Sequence, residues 1–298
     1  MGPEASLKIH GVLGASGLVG QHLMNAVSAA GCQAVGTYCS HPVDGLVPLD
    51  IRGRRKVEQF FAAHRPPVVY LPASMANVDY CQLHPADTWA VNVQGVANVV
   101  QAANAAGAKV VYFSSDYIFD GVNGPYSETD PAQPICEYGR QKLAAEHCVA
   151  LHAHSYLIVR TTVVYGWERQ GKNFVSRLVE TLSRGERLRV PADQVGSPTY
   201  APNLAEAVVE LGLSAGQGVY HVVGPDRVDR AEFARQAARA FGLSPHLIQP
   251  VSTSELGQAA PRPLNAGMRT EKAVAALRTR LVGYKEGLAS MASVRVLT

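Results

Sequence analysis

Short apolar runs alternate with longer helical patterns through the first half of this chain, and that alternation leaves few folds open. The runs are IHGVL (9–13), AVGTY (34–38), VVYL (68–71), VVYF (110–113) and YLIVRT (156–161), each of strand length and rich in Val, Ile and aromatic residues. Between them LVGQHLMNAVSAAG, KVEQFFAAH, ADTWAVNVQGVANVVQAANAAG and EYGRQKLAAEHCVALH read as helices, with Gly31 and Gly107 placed to close two of them. Strands separated by helices pair in parallel through right-handed crossovers. The expected class is therefore α/β, a doubly wound parallel sheet, which holds ligands at the carboxyl ends of its strands.

The rhythm loosens after about residue 165. GWERQGKNF reads as loop, FVSRLVETLSRG as helix, VPADQVGSPTYAPN as a long turn-rich segment, LAEAVVELGL as helix and GVYHVVG as strand. From Asp226 on, DRAEFARQAARAFGL and RTEKAVAALRT read as short helices with a Pro-rich link between them. The expected organisation is a core over 1–165, to which 200–225 returns, and a smaller C-terminal lobe from 166–199 and 226–298, with approximate boundaries.

Bulk properties exclude several partners. A net charge of +3 over 298 residues, without a clustered basic face, argues against nucleic acid. No run approaches the ~18 consecutive apolar residues of a membrane helix, and the N-terminus lacks a signal-peptide pattern, so no membrane partner is expected. Five cysteines, at 32, 39, 81, 136 and 148, show neither CxxC nor zinc-type spacing and fit a reduced, cytoplasmic chain with no metal site. MGPEAS superficially matches an N-myristoylation pattern, but the match is short and carries Pro3, so it is discounted.

GVLGASGLVG places Gly14, Gly17 and Gly20 at three-residue spacing between the first strand and the first helix. A tight turn there needs glycine, and a pyrophosphate needs bare backbone and a helix N-terminus close by. This points to a Rossmann-like dinucleotide site, with Gly14, Ser16, Gly17, Leu18, Val19 and Gly20 as cofactor residues. The end of the second strand selects the cofactor. NAD binding usually places Asp or Glu there against the ribose 2′-hydroxyl. GTYCSHP has none; Ser40 can donate to a 2′-phosphate, and His41 adds a donor and partial charge. NADP(H) is favoured over NAD(H), which stays open. Asp50 and Ile51, ending LVPLDI, are expected to frame the adenine. RGRRK (52–56) reads as a solvated helix start, or as a positive field beside a phosphorylated cofactor.

EYGRQKLAAEH holds one tyrosine and one lysine a helical turn apart. On a wheel of about 100° per residue, Tyr138 and Lys142 share a stripe with Ala145 and Val149, which should face protein. An arbitrary YxxxK is an amphipathic helix with a snorkelling lysine. Here, however, VVYFSSDYIFDG ends a buried strand in the hydroxyls of Ser114 and Ser115, where a doubly wound sheet holds its ligand. Ketone reduction needs a hydride from nicotinamide and a proton from a tyrosine. A lysine lowers that tyrosine's pKa and holds the ribose, and a serine orients the carbonyl. Ser115, Tyr138 and Lys142 are the catalytic candidates, the last two also touching cofactor.

These residues sit in a wider set: GASGLVG, NVDYC (77–81), AVNVQG (90–95), SSDYIFDG (114–121), YGRQK (138–142), VRTTVVYG (159–166), GKNF (171–174), DQVGSPTYAPNLA (193–205) and RPLNAGM (262–268). In that order they resemble the extended short-chain dehydrogenases/reductases, and within them the dTDP-4-dehydrorhamnose reductase family, over nearly the whole chain. The resemblance implies an NADP(H)-binding core and a smaller C-terminal substrate-binding lobe for a nucleotide-linked sugar. It adds Leu71, Pro72, Ala73 and Asn92 on the cofactor side. On the substrate side it adds Asp116, Asn173, Gln194, Thr199 and Arg262, the last as a diphosphate anchor. The expected partner is a nucleotide-sugar substrate, and the expected state a monomer or homodimer.

Two departures stand out. LPAS (71–74) replaces an NAAA-like turn, so Pro72 has no N–H to offer a cofactor. Val164 stands where the family often carries Trp, and Trp167 follows instead. Some relatives use magnesium, but no metal-ligand cluster is seen in the sequence. The expected activity is NADPH-dependent reduction of a nucleotide-linked 4-keto-6-deoxysugar. The alternatives are an NAD-using sugar-nucleotide epimerase or dehydratase, a non-catalytic NADP-binding subunit like the regulatory subunit of methionine adenosyltransferase, and reduction of some other ketone.

Overall fold

β1 (Ile9–Val12), β2 (Gln33–Tyr38), β3 (Val47–Pro48), β4 (Val68–Leu71), β5 (Lys109–Ser115), β6 (Tyr156–Thr161) and an edge strand, Gly218–His221, form one sheet in the computed structural model, which describes residues 9–294. Every pairing is parallel, and the spatial order runs edge strand–β6–β5–β4–β1–β2–β3. β4 and β5 are buried at every residue, which is why they read as unbroken apolar runs rather than as alternation. The chain order reverses between β1 and β4, and their carboxyl ends open the crevice that a doubly wound sheet offers a ligand. The predicted α/β class, a doubly wound Rossmann-like parallel sheet, is what the chain adopts.

Helices cover both faces. α1 (Leu18–Ala29) and the helix Ala201–Leu213 pack together on one side through Leu23, Val27, Leu204 and Val208. α2 (Arg54–His64), Gly95–Ala106 and Glu137–His152 cover the other through Val57, Phe60, Val99 and Val149. The patterns expected at 34–38, 68–71 and 156–161 fall on strands, as does GVYHVVG in its first residues.

The long helical run ADTWAVNVQGVANVVQAANAAG is interrupted. It comprises a helix at Pro85–Trp89, a π-turn at Ala90–Gln94 and the helix Gly95–Ala106. A π-turn inserts one residue into the helical ladder, which a regular wheel cannot register. Further elements lay outside the sequence expectation: the short helix Val78–Leu83, the pairing of Leu188–Pro191 with Ile248–Val251, and the helix Tyr284–Ser293.

A third apolar cluster, with Leu178, Phe233, Tyr284 and Leu288 at its centre, joins the helices Phe174–Ser183, Arg230–Ala240 and Tyr284–Ser293 beside the carboxyl ends of the strands. On the sheet side, Arg160 of β6 forms a two-pronged buried ion pair with Glu146, at 2.9 and 2.8 Å. Among the described residues, no helix is long and apolar enough to cross a membrane, and no group of three or more potential metal ligands occurs. The MGPEAS pattern lies outside the described residues.

Candidate active site

A cavity of about 400 Å³ opens where the carboxyl ends of β5 and β6 meet the smaller lobe. That is within the size range of small-molecule sites. Ser115, Asp116, Tyr138 and Lys142 lie in its sheet-side wall; Asn173, Gln194 and Arg230 close it from the lobe.

The Tyr138 helix runs Glu137–His152, and the stripe predicted for it is buried: Tyr138, Lys142, Ala145 and Val149 are all under 10% exposed. Lys142 Nζ donates to the Phe113 carbonyl at 2.9 Å and lies over the Tyr112 and Tyr138 rings, 5.1 and 5.8 Å from their centroids. Burial pulls its pKa down to about 8. Ser115, the last residue of β5, donates to Asp116 Oδ1 at 2.9 Å and accepts from Tyr117 N–H at 3.3 Å. Burial raises the Asp116 carboxyl to about 6, with Thr162 and Ser115 opposing the shift. Tyr138, Ser115, Asp116 and Thr162 thus line one stretch of the wall.

The Tyr138 phenol differs from the sequence expectation. Burial, followed by the Asp116 charge, pushes its pKa well up, and the neighbouring Ser115 works against that shift only in part. The Lys142 ammonium, held on the Phe113 carbonyl, does not outweigh burial. The tyrosine is held in its protonated form, which is the form a proton donor needs.

On the cofactor side, Gly14 makes the turn at φ +92°, and a Cβ there would meet the Ala73 backbone at 2.9 Å. Gly17 caps α1 with no side-chain hydrogen bond, and a Cβ there would meet the Gly14 carbonyl oxygen at 3.6 Å, an ordinary contact; the first turn of α1 is left without a side-chain cap, so its N–H groups are available to an anion. Val19 and Pro72 border the cavity, Ser16 and Leu18 line the same loop, and Ala73 N–H is tied to the Leu13 carbonyl at 3.0 Å. Ser40 and His41 are exposed at the end of β2, linked by a 3.0 Å hydrogen bond. No carboxylate follows directly on this strand. These donors fit a phosphorylated dinucleotide: the loop would hold its pyrophosphate, and Ser40 with His41 its 2′-phosphate. Asp50 is turned to Arg52, which binds both its oxygens and holds its pKa down.

Several sequence-predicted residues take other places. Gly20 is a packing glycine: a Cβ there would lie 2.2 Å from the Gly14 carbonyl oxygen, so it lets α1 approach the turn rather than hold a pyrophosphate. Leu71 and Ile51 are buried in the core, and Ile51 packs on Gly95, so their side chains are not free for a cofactor. Asn92, turned inward by the π-turn, is buried. Its amide accepts from Met75 N–H at 2.8 Å and donates to Gln141 Oε1 at 2.8 Å, bracing the turn after β4 against the Tyr138 helix instead of facing the cavity. Thr199 is buried behind the wall, donating to the Ser197 carbonyl at 2.9 Å. Arg262 is 7% exposed and paired with Asp79 at 2.9 Å, so its charge is already answered within the fold. Asn173 borders the cavity but also caps its helix, accepting from Ser176 N–H at 3.2 Å. Gln194 borders it while donating to Thr253 Oγ1 at 3.0 Å.

Sequence reasoning missed Arg230 and Tyr117. Arg230 begins the helix Arg230–Ala240, opens onto the cavity, stacks on Phe174 at 5.0 Å and makes no ion pair among the described residues. Burial pulls its pKa down, with the Tyr117 and Asp116 charges opposing. One signal was present: a cation in the first turn opposes the helix dipole, where acidic residues are the stabilising choice. Tyr117 packs edge-on against Tyr138 at 5.5 Å, and burial raises its pKa to about 12.

The family model "RmlD substrate binding domain" matches residues 11–296. The spore coat polysaccharide biosynthesis protein SpsK of Bacillus subtilis (strain 168) is 32% identical over 253 residues, covering 85% of this chain and 86% of the relative. The dTDP-4-dehydrorhamnose reductase of Streptomyces griseus is 33% identical over 260 residues, covering 85% and 82%. Among solved structures, dTDP-4-dehydrorhamnose reductase from Bacillus anthracis str. Ames, in complex with NADP, superposes with a TM-score of 0.88 at 29% identity, covering 96% of this chain and 98% of that one.

Proposed function

The chain belongs to the RmlD substrate-binding-domain family, and from that premise we propose that it is an NADPH-dependent reductase of a nucleotide-linked 4-keto-6-deoxysugar, of the dTDP-4-dehydrorhamnose reductase type. The observation that carries this is the wall on which Tyr138, Ser115 and Lys142 meet at the end of β5, facing a cavity closed by the lobe. We assign the adenosine and pyrophosphate of NADP(H) to Ser40, His41 and the turn Gly14–Gly17, and the sugar nucleotide to the lobe side. The open β2 end supports NADP(H) over NAD(H). Five free cysteines support a cytoplasmic setting, and the state is taken as monomer or homodimer.

When bound, the nicotinamide supplies the hydride. The protein does the rest. Tyr138, kept protonated by its burial, gives its phenolic proton to the carbonyl oxygen. Ser115, in the same cavity wall, orients that oxygen. Lys142, anchored on Phe113, places a positive charge beside the tyrosine ring as negative charge develops there. Arg230, with no carboxylate partner, supplies a planar two-pronged donor suited to a diphosphate.

The test is NADPH oxidation with dTDP-4-keto-6-deoxysugars, monitored at saturating cofactor. Tyr138→Phe is expected to lower kcat by about 10²–10⁴ while leaving NADPH binding intact. A Tyr138→Phe protein of full activity would sink the mechanism.

A further inference from the structure

A strap of the chain from Trp167 to Asn173 crosses from the lobe over both cofactor turns. His22 Nε2 and the Gln21 amide both meet the Trp167 carbonyl, the histidine at 3.2 Å. Gln170 Nε2 donates to the Ser16 carbonyl within the glycine turn at 3.1 Å. Two residues on, past Gly171 at φ +62°, Lys172 Nζ lies 3.3 Å from His41 Nε2 at the end of β2. Asn173, next in the chain, borders the substrate cavity.

Donor counting fixes the local protonation pattern. An ammonium has donors only, so His41 Nε2 accepts from Lys172. Nδ1 then carries the ring proton and donates to Ser40 Oγ, 3.0 Å away, which leaves the Ser40 hydroxyl hydrogen free to point elsewhere. The result is an exposed cluster with an ammonium and a hydroxyl both donating outward. Among the described residues Lys172 makes no ion pair, and its polar partner is another basic group. A lysine held against a histidine, in no ion pair among the described residues, gains nothing electrostatically from that contact; a dianion placed between them would turn the arrangement favourable.

We propose that Lys172, carried on the lobe, completes the 2′-phosphate site with Ser40 and His41 and sets the preference for NADP(H) over NAD(H). This deepens the NADP(H) reading above and rests on it. The strap makes cofactor choice a property of the lobe as well as of the β2 end: one short segment touches the pyrophosphate turn, the 2′-phosphate site and the substrate cavity.

The test is binding by calorimetry, which needs no ketosugar and is separable from any failure of the reductase reading. The ligands are NADP+, NAD+, adenosine 2′,5′-bisphosphate and 5′-AMP, titrated into the full chain and its Lys172→Ala and Lys172→Arg variants at low and high salt. Lys172→Ala is expected to weaken NADP+ and the bisphosphate about tenfold, equivalent to about 1.4 kcal/mol, with NAD+ and 5′-AMP unchanged and the loss smaller at high salt. Lys172→Arg should recover most of it. An equal loss for NADP+ and NAD+, or no loss for either, would overturn the proposal.

Discussion

Two arginines, one buried and one half-buried, sit at opposite ends of this molecule's chemistry. Arg160, inside the sheet layer, meets both carboxylate oxygens of Glu146 and a further acceptor at the Glu128 carbonyl. Arg230, in the cavity wall, has an aromatic face beneath it and, among the described residues, no carboxylate within ion-pairing distance. The first region places a charge and answers it within the fold. The second leaves a desolvated charge unanswered, at a cost in stability, and aims it at the place where a ligand would sit. Lys109 follows the first pattern, with its ammonium on the Leu211, Ser214 and Gly216 carbonyls. Arg262, which the sequence offered as an anion anchor, also follows it, because Asp79 holds it.

The contrast can be broken by substitution. Glu146→Gln strands the Arg160 charge and should cost about 3–5 kcal/mol in urea unfolding, with little change in the KM of any folded fraction. A loss below about 1 kcal/mol would mean that Arg160 is not held by its pair.

Asp116 carries the next effect, and its sign follows from its raised carboxyl. Its folded pKa is about 6 against 3.8 unfolded, so its contribution is fully present below 3.8 and is lost as pH rises through about 6. Above that pH the ionised carboxylate costs up to about 3 kcal/mol. Asp116→Asn should therefore match the parent near pH 4 and exceed it at pH 7, read as the difference between the two thermal-unfolding profiles. A difference that does not vary with pH would remove Asp116 as the cause.

Arg230→Met is expected to raise KM for the nucleotide ketosugar about thirtyfold, roughly 2 kcal/mol, while slightly raising Tm. If Tm falls and KM holds, Arg230 belongs with Arg160 after all.

What the sequence disclosed divides along the same line. The glycine turn and the Tyr138–Lys142 pair are local: their spacing fixes which backbone or side chain lies beside which, so a loop pattern and a helical wheel suffice to place them. The lobe side of the cavity is assembled from Asn173, Gln194, Arg230 and Pro263, which come together only through packing of the third core cluster. Asn92, which the family resemblance put on the cofactor side, is turned inward by a π-turn that no sequence pattern announced. Arg262 was misplaced because nothing near it in sequence announces Asp79, which is brought to it by the fold. The parallel, doubly wound class was legible from the strand–helix alternation; the edge strand's return after the lobe was suggested by GVYHVVG, but the helix Tyr284–Ser293 gave no comparable signal.

The edge strand Gly218–His221 pairs with β6 but is made only after the chain has passed through the strap, the helix Phe174–Ser183 and the helix Ala201–Leu213. Closing so long an excursion adds little to the equilibrium cost, since each doubling of loop length adds only about 0.6 kcal/mol. Its effect falls on time. Until that strand arrives, β6 is an open parallel edge, apolar over Leu157–Val159 and able to template another chain. The order of synthesis thus leaves nascent chains most prone to aggregate in the interval between β6 and its last neighbour.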